Sequence, residues 1–341
     1  MKEKLATPVR WLLLVVGIPV GLYLGKSFLI PLAIGMILAM MLNPVLDWLL
    51  RKKVGEGWAI TACTLLVVLF FVFLGGLLAF QVGAVAEDWP QMQQKANEML
   101  DQLQGYIQEQ FGLSPQKQIE EAKKLLTTMG SGGGAILGAL VSGVTGFLLM
   151  IVYVVLLLSQ RERIKGAILK AVPKAEQPRA HKALKEIRET AGGYLWGILK
   201  VISILAAMYA VGFLIGGVKY AVLIALITAL FAIIPYLGNI IGGSLACLLA
   251  LVSGDSSSVL VVLGVMTVAQ VVESYFLEPL IVGRQVGLNP FITIACVVGF
   301  SALWGPVGAI IAIPLTSILQ ISFKYLPGTE PLAYLMGKEE E

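Results

Sequence analysis

Three polar side chains share one face of an apolar stretch near residue 270. Gln270, Glu273 and Ser274 follow one another at spacings of three and four residues, which place them on the same side of an α-helix. An ionisable residue among apolar neighbours in a membrane is costly and marks a functional site by default. We therefore predict that this face lines a substrate path, with Glu273 as its ionisable group.

Two more charged residues follow this face. Glu278 precedes Pro279, where a helix is expected to end or kink. Arg284, next to Gly283, could neutralise either glutamate. The alternative for Glu278 and Arg284 is that both lie in water at the cytoplasmic end of a helix.

Glycine and proline interrupt the apolar sequence on both sides of this polar face. Backbone broken at membrane depth needs hydrogen-bond partners from protein or from a water-filled cavity. Paired interruptions of this kind are typical of transporter binding sites, although ordinary turns at the membrane surface are the alternative. We predict two tips that take part in the path, together with Asn239 in the first of them. The tip residues are Pro235, Gly238, Gly242 and Gly243, and then Gly305, Pro306 and Gly308.

The composition requires a membrane as the solvent for most of the chain. Of 341 residues, 57% are hydrophobic and 13% are charged, against about 45–50% and about 25% in soluble domains. The three cysteines show no metal-ligand spacing, and the single histidine, His181, has no partner for a metal site. No nucleophile-elbow, zinc-protease or Walker A motif is present. We predict no enzyme activity, no cofactor and no metal.

Ten apolar runs and the distribution of basic residues predict the topology. The first run continues past Lys26 into another apolar run, so we interpret it as a retained helix, not a signal peptide. Basic residues cluster at the N-terminus, at 51–53 and at 161–188, which predicts a cytoplasmic side for all three. Both termini are then cytoplasmic. Either ten crossings or eight crossings with re-entrant pieces satisfy this topology.

Two polar insertions interrupt the apolar runs. Residues 87–134 are predicted to lie outside as two amphipathic helices, the second capped at Ser114-Pro115. They fold against the outer mouth or, alternatively, form an oligomer contact or a lid. The basic segment 161–193 is predicted to be helical with interruptions at Pro173 and Pro178. Its charges suit anionic lipid, and not nucleic acid, because acids are interleaved and no aromatic platform is present.

These predictions define an all-α polytopic membrane protein of about eight transmembrane helices with Gly/Pro-broken, re-entrant hairpins in its C-terminal half. The expected segments are transmembrane helices over 1–86, an extracytoplasmic insertion over 87–134, a transmembrane helix over 135–160, cytoplasmic helices over 161–193, a transmembrane helix over 194–218, a transport unit over 219–323 and a cytoplasmic tail over 324–341.

The sequence resembles the autoinducer-2 exporter family. The resemblance lies in "FLIPLAIGMILAMMLNPVLDWLL", in "PYLGNIIGGSLA" and in "VESYFLEPLIVGRQVGLNPFITIACVVGFSALWGPVGAIIAIPLT", in this order along nearly the whole chain. The last motif is most similar to the branch of enterobacterial autoinducer-2 exporters. The family implies inner-membrane proteins of roughly eight crossings, some of which are elevator-type pentamers. Positions that match its motifs are Pro235, Gly238, Asn239, Pro279, Gly283, Gly305, Pro306 and Gly308.

Three functions are consistent with the sequence. The first is export of a small polar signal, autoinducer-2, along a path of hydrogen-bonding groups. The second is exchange of a monovalent cation, Na⁺ or Li⁺, for a proton at Glu273, an activity that the family resemblance also implies. The third is a membrane scaffold that transports nothing, which would have no need of Gln270 and Glu273 in an apolar stretch.

Overall fold

A computed structural model describes residues 16–111, 133–234, 237–253, 256–282 and 287–338, with positions 116, 119–121, 123 and 124. Over these residues the chain is helical, and its one β-type pairing there is an isolated bridge between Leu288 and Gly337. Residues 16–24 are helical. The helices that follow are α1 Lys26–Arg51, α2 Glu56–Phe111, α3 Gly133–Ser159, α4 Arg161–Ala171, α5 Gln177–Ile215, α6 Ala221–Phe231, α7 Leu237–Ser253, α8 Ser256–Val272, a π-helical segment Glu273–Val282, α9 Pro290–Tyr325 and α10 Glu330–Met336.

The predicted all-α polytopic membrane fold is confirmed. Five described helices are long and apolar enough to cross a membrane, and a sixth is counted if 143–159 and 161–171, bent by 66°, form one span. Large apolar side chains such as Phe73 and Leu260 are about 70% exposed, as lipid-facing residues are. The chain is therefore a multi-pass membrane protein.

The chain divides into two compact units. The first comprises residues 1–69, 145–201 and 276–341, and the second comprises 70–144 and 202–275. This division follows the packing in one conformation and cuts across the predicted transport unit of 219–323. The division does not show which residues move during transport, so the transport unit of 219–323 stays a prediction.

The first unit is built on α1, α2 and α3. Leu42, Leu46, Cys63 and Val154 are fully buried in one apolar cluster of these helices. Gly35 lets α1 approach α3, because a side chain at this position would lie 2.9 Å from Cβ of Tyr153. Close approach at small residues is the usual way in which helices associate in a bilayer, where no hydrophobic force drives them together.

Ion pairs gather the charged residues at one end of the first unit. Arg161 lies 3.2 Å from Glu56, Lys324 lies 2.8 Å from Glu186, and Arg188 pairs with Asp47. The segments around 51–53, 161–188 and 324 therefore share one end of this unit. The sequence predicted a common side for these three segments, and the assignment of that side to the cytoplasm stays a prediction.

Helix α2 continues without interruption from its apolar run into the polar insertion as far as Phe111, so it is about 84 Å long at 1.5 Å per residue. The predicted interruption at Pro178 is wrong, because Pro178 lies in the first turn of α5, where its missing N–H costs no hydrogen bond. The predicted interruption at Pro173 is confirmed between α4 and α5. Ser114 and Pro115 lie outside the described residues.

Helices α6 and α7 form a tight hairpin, here called hairpin A. A side chain at Gly238 would lie 1.9 Å from the carbonyl oxygen of Phe231, and one at Gly242 would lie 3.1 Å from Cα of Thr228. Residues this far apart in sequence touch because the chain reverses between them. Helix α6 has 11 residues, about 16 Å, and is too short for a hydrocarbon core of about 30 Å.

Helix α9 is itself a hairpin, here called hairpin B. Gly305 has φ 65° and ψ −151°, which breaks the helix after Trp304. A side chain at Gly308 would lie 2.0 Å from the carbonyl oxygen of Phe300. Eight residues of straight helix would separate these positions by about 12 Å, so the chain turns back at Gly305. Although the 36 residues of Pro290–Tyr325 are long enough to span, each arm is a separate helix.

The C-terminal segment clasps the start of hairpin B. The backbone of Gly287 accepts from Lys338, the N–H of Asn289 donates to Met336, and the side-chain amide of Asn289 donates to the carbonyl of Leu335 at 2.7 Å. A cleft of about 790 Å³ lies beside this clasp, lined by Glu186, Ser317, Gln320, Lys324, Tyr334 and Lys338 among others.

In the second unit, an ion pair fastens α2 to the turn before α6. The Lys219 ammonium lies 2.7 Å from the Asp88 carboxylate, which also accepts from the Tyr220 hydroxyl. Tyr220 has a left-handed backbone with φ 57°, which is unfavourable for a non-glycine residue. These hydrogen bonds, first that from Lys219, lower the pKa of Asp88 below its ordinary value.

We expect Gly308→Ala to destabilise the protein, because its methyl group would strike backbone and not a flexible side chain. Overpacking of this kind costs about 1–3 kcal/mol, so the melting temperature in detergent should fall by several degrees. Gly299→Ala is the matched control, since no atom lies within 4 Å of a side chain there. Equal melting temperatures for the two variants would contradict the hairpin.

We expect Asp88→Asn to lower the melting temperature at pH 7. A lowered carboxyl pKa adds stability above the unfolded value of about 3.9, and this stability disappears as the pH falls through the folded value. The difference from wild type should therefore shrink below about pH 4. Glu87→Gln, at an exposed neighbouring carboxylate, is the control. A difference that stays constant from pH 7 to pH 3 would refute the pair's contribution.

Candidate functional site

Hairpin A places Asn239 beside the polar face formed by the end of α8 and the start of the π-helical segment. Gly238 packs against the carbonyl of Phe231, and the next residue, Asn239, begins the returning helix. The side-chain nitrogen of Asn239 lies 2.6 Å from Oε1 of Gln270 and 2.8 Å from Oε2 of Glu273. All of these residues belong to the second compact unit.

The polar face predicted from spacing forms a single hydrogen-bond network. Gln270 donates through Nε2 to the hydroxyl oxygen of Ser274 at 3.0 Å, which is the expected contact between residues four apart on a helix. These hydrogen bonds bring together Asn239, Gln270, Glu273 and Ser274. We call this group of four residues the Asn239 network.

The network has a buried end and an open end. Glu273 is 7% exposed, Asn239 is half-buried, and Gln270 and Ser274 are exposed. A buried carboxylate requires hydrogen-bond donors, and the amide nitrogen of Asn239 provides one. The amide must present its nitrogen to Glu273 while that group is ionised, because two acceptor oxygens would repel one another.

Asn239 keeps one unused acceptor. Its Oδ1 is buried and makes no hydrogen bond within the part of the chain that the structure describes. A buried polar atom without a partner costs about 1–3 kcal/mol. The polar groups of the network that a small polar ligand can reach in this structure are the exposed side chains of Gln270 and Ser274.

The helix that carries Glu273 changes its winding at this residue. From Glu273 to Val282 the helix is of the π type, with Pro279 inside it. The helix does not end at Pro279, because helical winding continues to Val282, and the alternative of a kink at this residue stays a prediction. Segments of π-helix occur frequently at functional sites.

The other predicted site residues are distributed as follows. The Glu278 backbone lies in the π segment and its side chain is outside the described part, as are Pro235, Gly283 and Arg284 entirely. Gly243 packs in the second unit, where a side chain would lie 2.7 Å from Cε of Met266. The second tip belongs to hairpin B in the first unit, where Trp304 donates through Nε1 to the carbonyl of Leu22 at 2.9 Å. The positions at this tip are Gly305, Pro306 and Gly308.

Two buried polar residues near the network escaped prediction from the sequence. Tyr209 is 1% exposed, stacks with Phe213 at 5.8 Å and interacts electrostatically with Glu273. Thr228 is fully buried and donates to the carbonyl of Ile224 at 2.7 Å, beside Gly242. Both lie in apolar runs, where an aromatic residue or a threonine is indistinguishable from core without knowledge of the packing.

No group of three or more His, Cys, Asp or Glu residues in the described ranges could hold a metal ion. The network instead offers one carboxylate, two amides and a hydroxyl. This chemistry can bind a neutral polar molecule, a proton or a weakly held monovalent cation.

The broken hairpins and the buried polar network are features of a membrane transporter, and comparison with known proteins identifies the family. The model of the AI-2E family transporter matches residues 12–328. The chain belongs to the AI-2E transporter family. The predicted family is therefore confirmed, and this member is a membrane transporter and not an enzyme.

Relatives in this family span nearly the whole chain at low identity. The putative transport protein YrrI of Bacillus subtilis is 26% identical, covering 87% of this chain and 86% of its own. A putative transport protein of Haemophilus influenzae is 26% identical, covering 96% and 95%. The AI-2 transport protein TqsA of Escherichia coli is 23% identical, covering 93% and 91%. The relative named for AI-2 is thus no more similar to this chain than the putative transport proteins are.

Proposed function

We propose that this chain exports a small, neutral, polyhydroxylated molecule of the autoinducer-2 class, with the Asn239 network in its path. The observation that carries the proposal is the open end of the network, where the amide of Gln270 and the hydroxyl of Ser274 are exposed. Hydroxyl groups both donate and accept, so they match amide and hydroxyl groups without the cost of burying another charge. The name of the relative TqsA supports the substrate class.

The proposal includes a bacterial inner membrane with both termini in the cytoplasm, as the basic residues at 51–53 and 161–188 predict. It also includes an elevator-like movement of residues 219–323 and assembly as a homo-oligomer, as a pentamer by family resemblance. The family resemblance supports both the elevator-like movement and the homo-oligomer. The surrounding lipid is the remaining partner.

We expect Asn239→Ala and Gln270→Ala each to reduce export. Loss of one hydrogen bond to substrate costs about 1.4 kcal/mol, which corresponds to about tenfold. Uptake of autoinducer-2 into everted vesicles measures the rate, since export from cells becomes uptake there. Thr267→Ala is the matched control on α8, because its exposed hydroxyl bonds only the helix carbonyl of Leu263.

Wild-type uptake by both variants would exclude the Asn239 network from the path. Reduced uptake by Thr267→Ala as well would indicate a general defect of α8. The melting temperature of each variant separates a loss of transport from a loss of folding.

A second function, exchange of Na⁺ or Li⁺ for a proton, is favoured by one observation. Glu273 is the one charged residue with a described side chain that is buried in this chain, at 7% exposure. A carboxylate at such a place can alternate between a proton and a monovalent cation, because either one neutralises it.

For this second function, Glu273→Gln is the decisive variant. In proteoliposomes that contain a pH-sensitive dye, a Na⁺ pulse should move protons through the wild type and not through Glu273→Gln. A Na⁺ pulse that moves no protons through the wild type would reject exchange and leave export as the function. Ser274→Ala, which keeps the carboxylate, serves as the control.

A further inference from the structure

Helix α4 leaves the direction of α3 at a sharp angle. Residues 143–159 and 161–171 are bent by 66° where the two helices meet. Membrane-spanning helices are tilted by about 20° on average from the bilayer normal. A helix that is bent this far from the span before it therefore runs more along the membrane surface than through the membrane. Its 11 residues correspond to about 16 Å.

Arg161 holds this bend in place. Its guanidinium donates to the carbonyl of Leu158, in the last turn of α3, at 3.1 Å. The same group lies 3.2 Å from the carboxylate of Glu56, at the start of α2. All three residues belong to the first compact unit. The start of α4 is therefore tied to the ends of two apolar helices of its own unit.

Exposed tryptophans mark the level of the membrane surface at this end of the first unit. Trp48 lies near the end of α1 and Trp58 lies near the start of α2, and both are exposed. Tryptophan is enriched at the boundary between membrane and water. Trp58 follows Glu56 by two residues, and Glu56 pairs with Arg161. Helix α4 therefore begins close to this boundary.

The side chains of α4 form three faces, because helical positions repeat every 3.6 residues. One face is half-buried, the second is exposed and apolar, and the third is exposed and basic. None of the 11 residues of α4, all of which the structure describes, is fully buried. In the order given, the faces consist of Lys165, Gly166 and Leu169, then of Ile164, Ile168 and Ala171, and then of Arg163 and Lys170.

The start of α5, which also belongs to the basic segment, is packed differently. Ala183 and Ala191 are buried there, and Arg188 pairs with Asp47 of α1. Protein thus covers the apolar side of this part of α5. The exposed apolar face of α4 has no such cover among the described residues. The structure therefore singles out α4 within the basic segment as the part that is free to contact lipid.

We propose that α4 lies in the plane of the membrane surface and binds anionic phospholipid. Ile164, Ile168 and Ala171 lie among the lipid chains, while Arg163 and Lys170 contact the phosphate groups. Long aliphatic stems let arginine and lysine place their charges at the headgroups beside an apolar face. Amphipathic helices bind a membrane through apolar area together with attraction of their basic residues to anionic lipid. The inference is independent of the transported molecule.

Fluorescence quenching tests the position of α4 in the membrane. In a background without the native Cys63, Cys247 and Cys296, Ile164→Cys carries a fluorophore in lipid vesicles. Nitroxide groups on the lipid chains should quench it several-fold more strongly than the same fluorophore at Glu162→Cys, the matched control. Glu162 is exposed and lies on the opposite side of α4 from Ile164. Iodide in the water should quench the two positions in the reverse order.

Two results would overturn the in-plane helix. The first is equal quenching of the fluorophore at both positions by each quencher. The second is a fluorophore at Ile164→Cys that is shielded from lipid nitroxide and from iodide alike, because protein, such as a second copy of the chain, would then cover this face. Ile168→Cys, at an exposed position on the same face, repeats the measurement if Ile164→Cys lacks a normal size-exclusion profile.

Labelled lipids test the preference for anionic lipid. At a low fraction in phosphatidylcholine vesicles, nitroxide-labelled phosphatidylglycerol should be concentrated about tenfold near the fluorophore at Ile164→Cys, relative to nitroxide-labelled phosphatidylcholine. Arg163→Gln together with Lys170→Gln should abolish this preference. Arg179→Gln together with Lys185→Gln removes the same charge from exposed positions of α5 and should leave the preference unchanged.

Equal quenching by the two labelled lipids, before any basic residue is replaced, would overturn the binding of anionic lipid. Loss of the preference in the α5 control as well would also overturn it, because the total charge of the segment, and not α4, would then attract the lipid. Neither measurement involves transport. A failure of the proposed export function would therefore leave both results unchanged.

Discussion

The contact between Gly238 and the carbonyl of Phe231 is the constraint on which the candidate site depends. Hairpin A packs its two helices so closely that no room is left for a side chain at Gly238. The next residue is then held against α8, where its amide reaches Gln270 and Glu273. Any side chain at Gly238 would displace Asn239 from a buried carboxylate.

Charged residues are few, and the role of each depends on whether it is exposed at the end of a unit or buried among apolar residues. Exposed ion pairs such as Glu186 with Lys324 lie at the end of a unit, where water screens them and each contributes little stability. Their value is positional, because they tie helix ends together outside the apolar core. Glu273 is different, because it is buried and bound by an uncharged amide.

Much of this arrangement could be predicted from the sequence where local rules apply. The spacing of four residues placed Gln270 and Ser274 on one face of a helix, where their side chains are in contact. Glycine and proline residues marked the positions at which hairpins A and B turn. The approach of Asn239 to Glu273, 34 residues away, could not be predicted, because it depends on the register in which α6 and α7 pack. The π-type winding from Glu273 to Val282 could not be predicted either, because the local rule for a residue before proline expects the helix to end or kink there.

The clasp at the C-terminal segment has a consequence for biogenesis. The amide of Asn289 binds the carbonyl of Leu335, 46 residues later in the chain. The residues that fasten the first arm of hairpin B are therefore synthesised after both of its arms. The first arm of hairpin B is fastened late in folding, and until then the N-terminal end of this arm lacks its hydrogen bonds to the C-terminal segment. Fusion of a bulky tag directly after Gly337 would prolong that stage, so the position of an affinity tag affects the yield of folded protein.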